Sequence, residues 1–598
     1  MEEAPNSVLL ESSRPDDENR RSLLFLDPVR TISLREPHEI EEFFEQVENA
    51  VAEGYYLAGY ISYECGCVFE PRTDHAFVDP GIPLAWFGVY RHPIEFDHES
   101  GEFVSPPPRG PRGERHPFRI GDLRFEIREQ EYRESIRRIR QFISSGETYQ
   151  VNFTDRYSFT LEGSTSACYR VLRNSQRAGY AAFINTGDLT VLSFSPELFF
   201  RISGNRLLVK PMKGTAHGGG STEEENRQSE RLQADEKNRS ENLMIVDLLR
   251  NDLGRLARVG SVKVRELFAV ERFETLLQMT STIECELSGK PTFYEIFRSL
   301  FPSGSVTGAP KIRTMQIIHE LERNPRGIYT GAIGYIAPNR DAAFNVAIRT
   351  LVVREGKGTM GIGSGIVFDS DPAEEYEECR LKAKFLSEGA EPFQLIESLR
   401  WDEGYPLLDL HLKRLKRSAQ AFGYRIVPEE IAEALKEHGA HLAPGAAFKV
   451  RLLLGSDGGI SISNQKLGNL PSSGKVCLSR IRTSSPDIFL LHKTTRRRLY
   501  DEEHSAALRN GYDDVLFLNE RGEVTEGAIS NIFLEERGHL CTPPVSCGLL
   551  PGVHREHVLG STAGAVERIL TPADLLAAER LFICNAVQGM REVKFVRE

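Results

Sequence analysis

Near Ser364 the sequence reads SGIVFDSDPAEEYEECRLKAKFL, in which Glu375, Glu378 and Lys382 fall at i, i+3 and i+7 and share one helical face. Such a face can hold a metal ion and an anion together, or it can be a solvated helix laced with ordinary ion pairs. A second acidic helix, DEKNRSENLMIVDLLRNDLGR, places Glu241 just ahead of an apolar run. A hard cation such as magnesium takes only one or two protein carboxylates and leaves its other positions to water or a substrate. Two glutamates from separate helices suit it; Glu241 can equally serve the N-terminal dipole of its own helix. In PMKGTAHGG, Pro211 to Gly219, Lys213 reads as part of a tight, Gly-flanked turn after the strand FRISGNRLLV. A lysine in apolar, water-poor surroundings can lose its proton and become a nucleophile.

These residues need a large scaffold. The chain has 598 residues, 40% of them hydrophobic and 27% charged, too many for one core and too apolar for disorder, so several folded units are expected. The balance of 86 acids against 74 bases, net −12, argues against a nucleic-acid binder. No apolar stretch is long enough to span a bilayer, and the first residues are acidic and polar, so a cytoplasmic protein with no membrane partner is expected. The nine cysteines are scattered, and the Cys65/Cys67 spacing is neither a zinc knuckle nor a redox pair, which reads as reduced thiols.

Periodicity predicts a helix in IEEFFEQVENAVAEG (Ile40 to Gly54) and a buried strand in YYLAGYISYECG (Tyr55 to Gly66). The Pro/Gly/Arg-rich stretch from Ser105 to Pro117 reads as an extended connector. From Phe118 to about Glu388, strand-like runs (VLSFSPELFFRI, FNVAIRTLVV) interleave with helical ones, giving a mixed α+β body. Around Glu388 to Pro392 the pattern resets with a strand, FQLIESLRW, and an amphipathic helix, DLHLKRLKRSAQAFG. The expected division is 1–117, 118–388 and 391–598.

Taken together, GETYQVNFT (Gly146 to Thr154), SFSPELFF, PMKGTAHGG, FPSGSVTGAPK (Phe301 to Lys311), RGIYTGAIGY (Arg326 to Tyr335), FNVAIRT and GIGSGIVFDSDP (Gly361 to Pro372) resemble, in order, the motifs of the chorismate-utilising enzymes. That family includes the anthranilate, aminodeoxychorismate, isochorismate and salicylate synthases. The resemblance implies an anthranilate-synthase-like sandwich of two β-sheets with outer helices. It implies that Glu241 and Glu378, with Glu375 beside them, hold Mg2+, which would neutralise the ring carboxylate of chorismate. Arg349, Tyr329 and Lys382, with backbone donors from Gly363 and Gly365, match the positions that hold the substrate's carboxylates. Ser305 stands where relatives often carry threonine and keeps a hydroxyl there. Glu197 matches the general acid that protonates the departing ring hydroxyl.

Two positions separate the family's members. Water-adding members carry a lysine base where this chain has Gln150, and a neutral amide cannot deprotonate water. Anthranilate synthases place a small residue where this chain has Lys213, as aminodeoxychorismate synthases do. The resemblance therefore implies amination of chorismate to aminodeoxychorismate, with Lys213 as a covalent nucleophile. Gln278 and Asn238 depart from the family pattern at a histidine and a glutamate. No stretch resembles a glutamine amidotransferase, so ammonia is expected from a separate amidotransferase subunit.

The last 200 or so residues hold HLKRL, LHKTTRRRLYDE (Leu491 to Glu502), GEVTEGAISNIF (Gly522 to Phe533) and GLLPGVHREHVL (Gly548 to Leu559). Alone, Arg496 to Arg498 reads as a basic surface patch. The ordered set resembles the class IV aminotransferases, a pyridoxal-phosphate group of two-lobed fold that includes aminodeoxychorismate lyase. The resemblance implies Lys493 as the Schiff-base lysine, Glu526 as the acid at the pyridine nitrogen and Arg414 as the phosphate anchor. Val553 and His554, in the turn after Gly552, would add phosphate donors, with Asn531 and Asn585 in support. The usual opening strand with its Gly-Asp-Gly turn is absent. Fusion of the two halves points to 4-aminobenzoate for folate: the second half would release pyruvate from the first half's product. The alternatives are an amino-acid aminotransferase or a non-catalytic class IV module, and a homodimer through this half is a further expectation.

Overall fold

The computed structural model describes residues 4–12, 19–100, 102–104, 118–175, 178–217, 222–273, 276–389, 393–422, 424–468, 473–485 and 487–596. The connector read at Ser105 to Pro117 lies outside them, as do Gly218, Gly219 and residues 390–392 of the expected boundary. The chain forms two compact units. One comprises Met1–Thr215, Arg231–Phe273 and Leu277–Glu391; the other comprises Ala216–Glu230, Glu274–Leu276 and Pro392–Glu598. Both are mixed α+β with largely antiparallel sheets.

The first unit is built on two large sheets, and the chain passes repeatedly from one to the other. Strand β1 (Ser7–Glu11) lies in the first sheet and β2 (Tyr56–Ile61) in the second. The long β3 (Gln150–Gly163), β4 (Tyr180–Asn185) and β5 (Thr190–Ser195) belong to the first. Then β6 (Leu198–Ser203), β7 (Arg206–Lys210), β8 (Met212–His217), β9 (Leu276–Glu286), β10 (Ala332–Ile336) and β11 (Ala342–Val346) build the second. The chain returns to the first with β12 (Thr350–Arg354) and β13 (Lys357–Ile366). The early strands are woven in: β1 pairs with β4, and β2 with β10.

An apolar layer between the sheets takes Val8, Ile184 and Val191 from one and Ala58, Tyr60 and Ile333 from the other. Helix α1 (Ile40–Ala52) covers the outer face of the second sheet with Phe43, Phe44 and Val47, as its periodicity predicts. On the first sheet's outer face, α2 (Glu129–Ser144) contributes Tyr132, Ile136 and Ile139. Helix α3 (Glu236–Gly254) buries Ile245, Val246 and Leu249 against the second sheet's cluster, and α4 (Pro372–Gly389) buries Cys379, Ala383 and Leu386 against the first's.

Four local expectations are corrected. VLSFSPELFFRI is two strands in different sheets, because Pro196 cannot continue a ladder and the chain crosses between layers there. FNVAIRTLVV divides in the same way, into β11 and β12. FRISGNRLLV is a hairpin, turning at Gly204 with φ +59°. YYLAGYISYECG leaves the sheet after Ile61 and enters a short helix, Cys65–Phe69.

The second unit holds a three-stranded sheet of β14 (Leu395–Trp401), β15 (Phe448–Leu454) and β16 (Ile460–Lys466), packed on α5 (Leu408–Phe422), and a separate eight-stranded sheet. Helix α6 (Val553–Ser561) packs against the strand Arg580–Asn585 of the larger sheet. All nine cysteines are free and buried. Among the described residues no helix is long and apolar enough to cross a membrane.

Candidate active site

Three crossings between the sheets lie side by side in the first unit. At the first, Glu197 follows β5; its backbone carbonyl accepts from Val346 N–H at 3.0 Å, and Ser195 Oγ donates to the Val346 carbonyl at 2.6 Å. At the second, Arg349 follows β11 with φ +50°. At the third, Tyr329 and Thr330 precede β10; Thr330 has φ +60° and donates its N–H to the Ala347 carbonyl at 2.9 Å. Left-handed backbone at an arginine and a threonine is strained, and such strain persists only where surrounding bonds impose it.

Lys213 lies on β8, a strand rather than the Gly-flanked turn expected for it, because β8 pairs with β9 at the sheet's end. Its amine reaches the glycine-rich end of β13. A Cβ built on Gly365 would stand 3.1 Å from Lys213 Nζ and 2.8 Å from Gln150 Nε2, so only glycine leaves room for both groups. Beyond Met360, β13 pairs with β3 alone among the described residues, so its other edge is open around Gly363 and Gly365.

Desolvation lowers the pKa of Lys213, opposed by Glu241, Glu197 and Glu378, while the like charge of Lys382 adds to the lowering. That mutual field gathers five expected residues around one site. Burial raises the Glu197 carboxyl to about 7, against the Ser305 hydroxyl, Lys213 and the Met212 backbone N–H. Ser305 thus serves Glu197 directly. Burial also raises Glu241, and Glu375 repels it further. Glu378 pairs with Lys382 at 2.6 Å, and Lys382 Nζ donates to the Gly363 carbonyl at 3.0 Å. Arg349 is desolvated, which lowers its pKa, and the Tyr329 ring lies directly on Gly361, where a Cβ would meet it at 2.1 Å.

The residues suit a small cation and a polar ligand. Both amide atoms of Gln150 are buried without a hydrogen-bond partner, and Glu241 sits destabilised beside a second carboxylate. Among the described residues no three His, Cys, Asp or Glu side chains form a ready cage. Mg2+ needs no such cage: Glu241 with Glu375 or Glu378 would supply its one or two carboxylates.

Sequence reasoning missed the supports. Tyr132 Oη on α2 bonds Ser364 Oγ at 3.2 Å and Cys379 Sγ at 3.4 Å, tying the glycine strand to the helix that carries Glu375, Glu378 and Lys382. Arg326, buried, donates to Glu322, to the Asn152 and Val306 carbonyls at 2.6 and 2.8 Å, and to Thr330 Oγ1. Asn242 accepts from Ser281 Oγ at 2.6 Å and so pins α3 to β9 next to Glu241. A buried tyrosine, arginine or asparagine gives no signal in one sequence until its partners are seen.

In the second unit Lys493 is paired onto the edge of β14: its carbonyl accepts from Ile396 N–H at 2.8 Å, and Thr494 bridges Leu395. Burial, with Arg414 and Arg497 nearby, lowers its ammonium to about 7. Glu526 is buried and raised to about 8; it accepts from Tyr500 Oη at 3.3 Å, from Asn531 Nδ2 at 3.2 Å and from the Leu550 N–H. Arg414 gives Nε and Nη2 to Glu397 at 2.9 and 2.6 Å, and His411 Nδ1 meets the same carboxylate at 2.5 Å. That leaves Arg414 Nη1 for an anion. Val553 and His554 open α6 behind Gly552, where a Cβ would stand 1.9 Å from Asn531 Oδ1. Asn585 instead closes its own turn, accepting from Val587 and Gln588 N–H at 3.0 and 2.8 Å.

A lysine, a protonatable acid and an arginine beside a helix N-terminus fit pyridoxal phosphate. Lys493 would hold its aldehyde carbon, Glu526 its ring nitrogen, and Arg414 with the α6 start its phosphate.

Comparison with known proteins gives a family match to each part of the chain. Residues 394–596 match the family model for amino-transferase class IV. Aminodeoxychorismate synthase component 1 of Bacillus subtilis is 38% identical over 270 residues, 45% of this chain and 57% of its own length. Aminodeoxychorismate synthase of Streptomyces pristinaespiralis is 44% identical over 42% of this chain and 35% of its own. The chain thus spans little more than half of the one and about a third of the other. Anthranilate synthase component 1 of Thermus thermophilus is 33% identical over 65% of this chain and 93% of its own. The solved anthranilate synthase component I of Streptococcus pneumoniae superposes with a TM-score of 0.55 and 26% identity, over 62% of this chain and 93% of that one. With the model for chorismate binding enzymes matched from residue 6 to residue 388, where Lys213, Glu197 and the glycine strand converge, the chain belongs to the chorismate binding enzyme family.

Proposed function

We propose that the chain makes 4-aminobenzoate in two stages: amination of chorismate to aminodeoxychorismate in the first unit, then loss of pyruvate in the second. The observation that carries the first stage is Lys213 Nζ beside Gln150 and within the field of Glu197. In this reading Lys213 attacks the ring carbon next to the carboxylate-bearing one. The ring hydroxyl leaves as water with the Glu197 proton. Ammonia then adds at the vacated carbon and expels the lysine, placing the amine para to the carboxylate. Gln150 cannot deprotonate water, which disfavours the hydroxylated isomers. Glu241, with Glu375 or Glu378, would hold Mg2+ against the ring carboxylate, and Arg349, Tyr329 and Lys382 would take the carboxylates. Ammonia would come from a separate glutamine amidotransferase subunit.

For the second stage, pyridoxal phosphate, when bound, supplies an electron sink for the breaking bond. Lys493, whose ammonium burial lowers to about 7, would take the proton from the ring carbon that bears the amine and pass it to the enolpyruvyl group, which leaves the neighbouring carbon as pyruvate while the ring aromatises; Glu526 would hold the pyridine nitrogen and Arg414 the phosphate. A cytoplasmic location and a homodimer through the second unit belong to the same reading.

The 598-residue chain given chorismate, Mg2+, pyridoxal phosphate and an ammonium salt should yield 4-aminobenzoate and pyruvate. Anthranilate or a hydroxylated isomer would overturn the first stage. Aminodeoxychorismate accumulating without pyruvate would overturn the second and favour an amino-acid aminotransferase.

A further inference from the structure

The three-stranded sheet of the second unit has one apolar face and one basic face. Leu399 and Trp401 of β14 and Phe448, Val450 and Leu452 of β15 enter the core under α5. Strand alternation therefore turns Ile396, Ser398 and Arg400, with Lys449 and Arg451, to the other side. The register sets Ser398 opposite Arg451 and Arg400 opposite Lys449, so the three cations stand next to one another.

Lys493 shares this face. Thr494 bridges Leu395, whose side chain is in the core, so Lys493, paired with Ile396, points with Ser398 and Arg451. Strand spacing and rise put the Lys493 and Arg451 backbones about 12 Å apart, within reach of one another's long side chains through a small bound molecule. The Arg497 charge acts on both Lys493 and Lys449. Arg400 is occupied by Asp402 at 2.8 Å, and Arg497 by Asp501 at 2.7 Å and the Ala528 carbonyl at 2.8 Å. Among the described residues Lys449 and Arg451 have no carboxylate partner. Two exposed like charges two residues apart on one strand face make a local positive field that favours an anion between them.

We propose that Lys449 and Arg451, with Arg497, receive a carboxylate carried at the far end of the amine presented to Lys493, so that this unit selects a dianionic amine over one with a single carboxylate. The inference rests on the lyase reading and names the residues that would give it its substrate class.

The test is the K449Q/R451Q double variant of the full chain loaded with pyridoxal phosphate; glutamine keeps both positions polar on an exposed face. Binding is read from the bound cofactor's absorbance, with chorismate as the dianion and alanine as the amine whose only carboxylate adjoins it. Chorismate should weaken at least tenfold relative to alanine, and the KM for aminodeoxychorismate should rise similarly. Unchanged chorismate binding, or equal weakening of both probes, would overturn the proposal. If the wild type releases no pyruvate yet chorismate binding still drops selectively, the lyase reading fails and the anion face stands.

Discussion

Lys213 and Gln150 meet across a missing side chain: the space that a Cβ on Gly365 would fill lies 3.1 Å from the lysine Nζ and 2.8 Å from the glutamine Nε2. The lysine proposed as nucleophile and a neutral amide are thereby held at one spot on the open edge of a strand. Gly365→Ala should leave the fold intact, since the clashing atoms are side-chain ends, but displace both groups. Amination should fall at least about tenfold, with circular dichroism unchanged, at a packing cost of about 1–3 kcal/mol. An alanine variant of wild-type rate would show that the pair is not needed together.

Lys213→Ala removes the proposed nucleophile and leaves the expected Mg2+ ligands in place. Aminodeoxychorismate formation should drop by about two orders of magnitude or more, while Mg2+-dependent chorismate binding, measured by calorimetry, survives. Turnover at the normal rate would exclude the covalent role.

Glu197 carries its own pH signature. Burial raises it to about 7, so the proton that the departing hydroxyl needs is present below that value and lost above it. The amination rate should fall as pH rises through about 7, and Glu197→Gln should flatten that limb while costing about 100-fold in rate. The linkage has a definite sign. Between 4.5, its ordinary value, and about 7 the folded chain keeps a proton that the unfolded chain releases, so stability falls as pH rises across that window. Denaturant midpoints of the wild type and the Gln variant should converge at low pH and diverge above it.

Tyr132→Phe should separate positioning from binding. Loss of the hydroxyl bonds to Ser364 and Cys379 costs about 1 kcal/mol and loosens the helix carrying Glu375, Glu378 and Lys382. The Mg2+ concentration for half-maximal amination should rise several-fold with little change in kcat. A purely structural role would lower thermal stability without moving that dependence.

Glu397 anchors the second unit's arginine. Its neighbours Arg414 and His411 hold its carboxyl down at about 2, so this stability is present above 4.5 and lost as pH falls from there toward 2. Glu397→Gln leaves a buried guanidinium half-paired and should destabilise the unit by about 3–5 kcal/mol. Pyridoxal-phosphate affinity should weaken too, read from absorbance at temperatures where the variant stays folded.

The residues proposed for the chemistry stand out as letters in a row, because they are chemically unusual where they stand. A lysine among small residues, glycines alternating along one strand, and acids at helical spacing each carry a local reason. So do the helices Ile40–Ala52 and Leu408–Phe422, whose apolar stripes follow a 3.6-residue period. Folding settled what short-range pattern cannot express. Pro196 reads as a blemish inside one strand, yet it is where the chain changes sheets and delivers Glu197. Arg349 and Thr330 take left-handed backbone only because neighbouring crossings bond them. The basic face of the small sheet arises from register between strands some fifty residues apart, and Tyr132, Arg326 and Glu397 acquire their tasks from partners distant in the chain. Side-chain type and spacing are local properties, whereas burial, register and desolvation belong to the packed molecule, and within one site those raise the Glu197 and Glu241 carboxyls and lower the Lys213 amine.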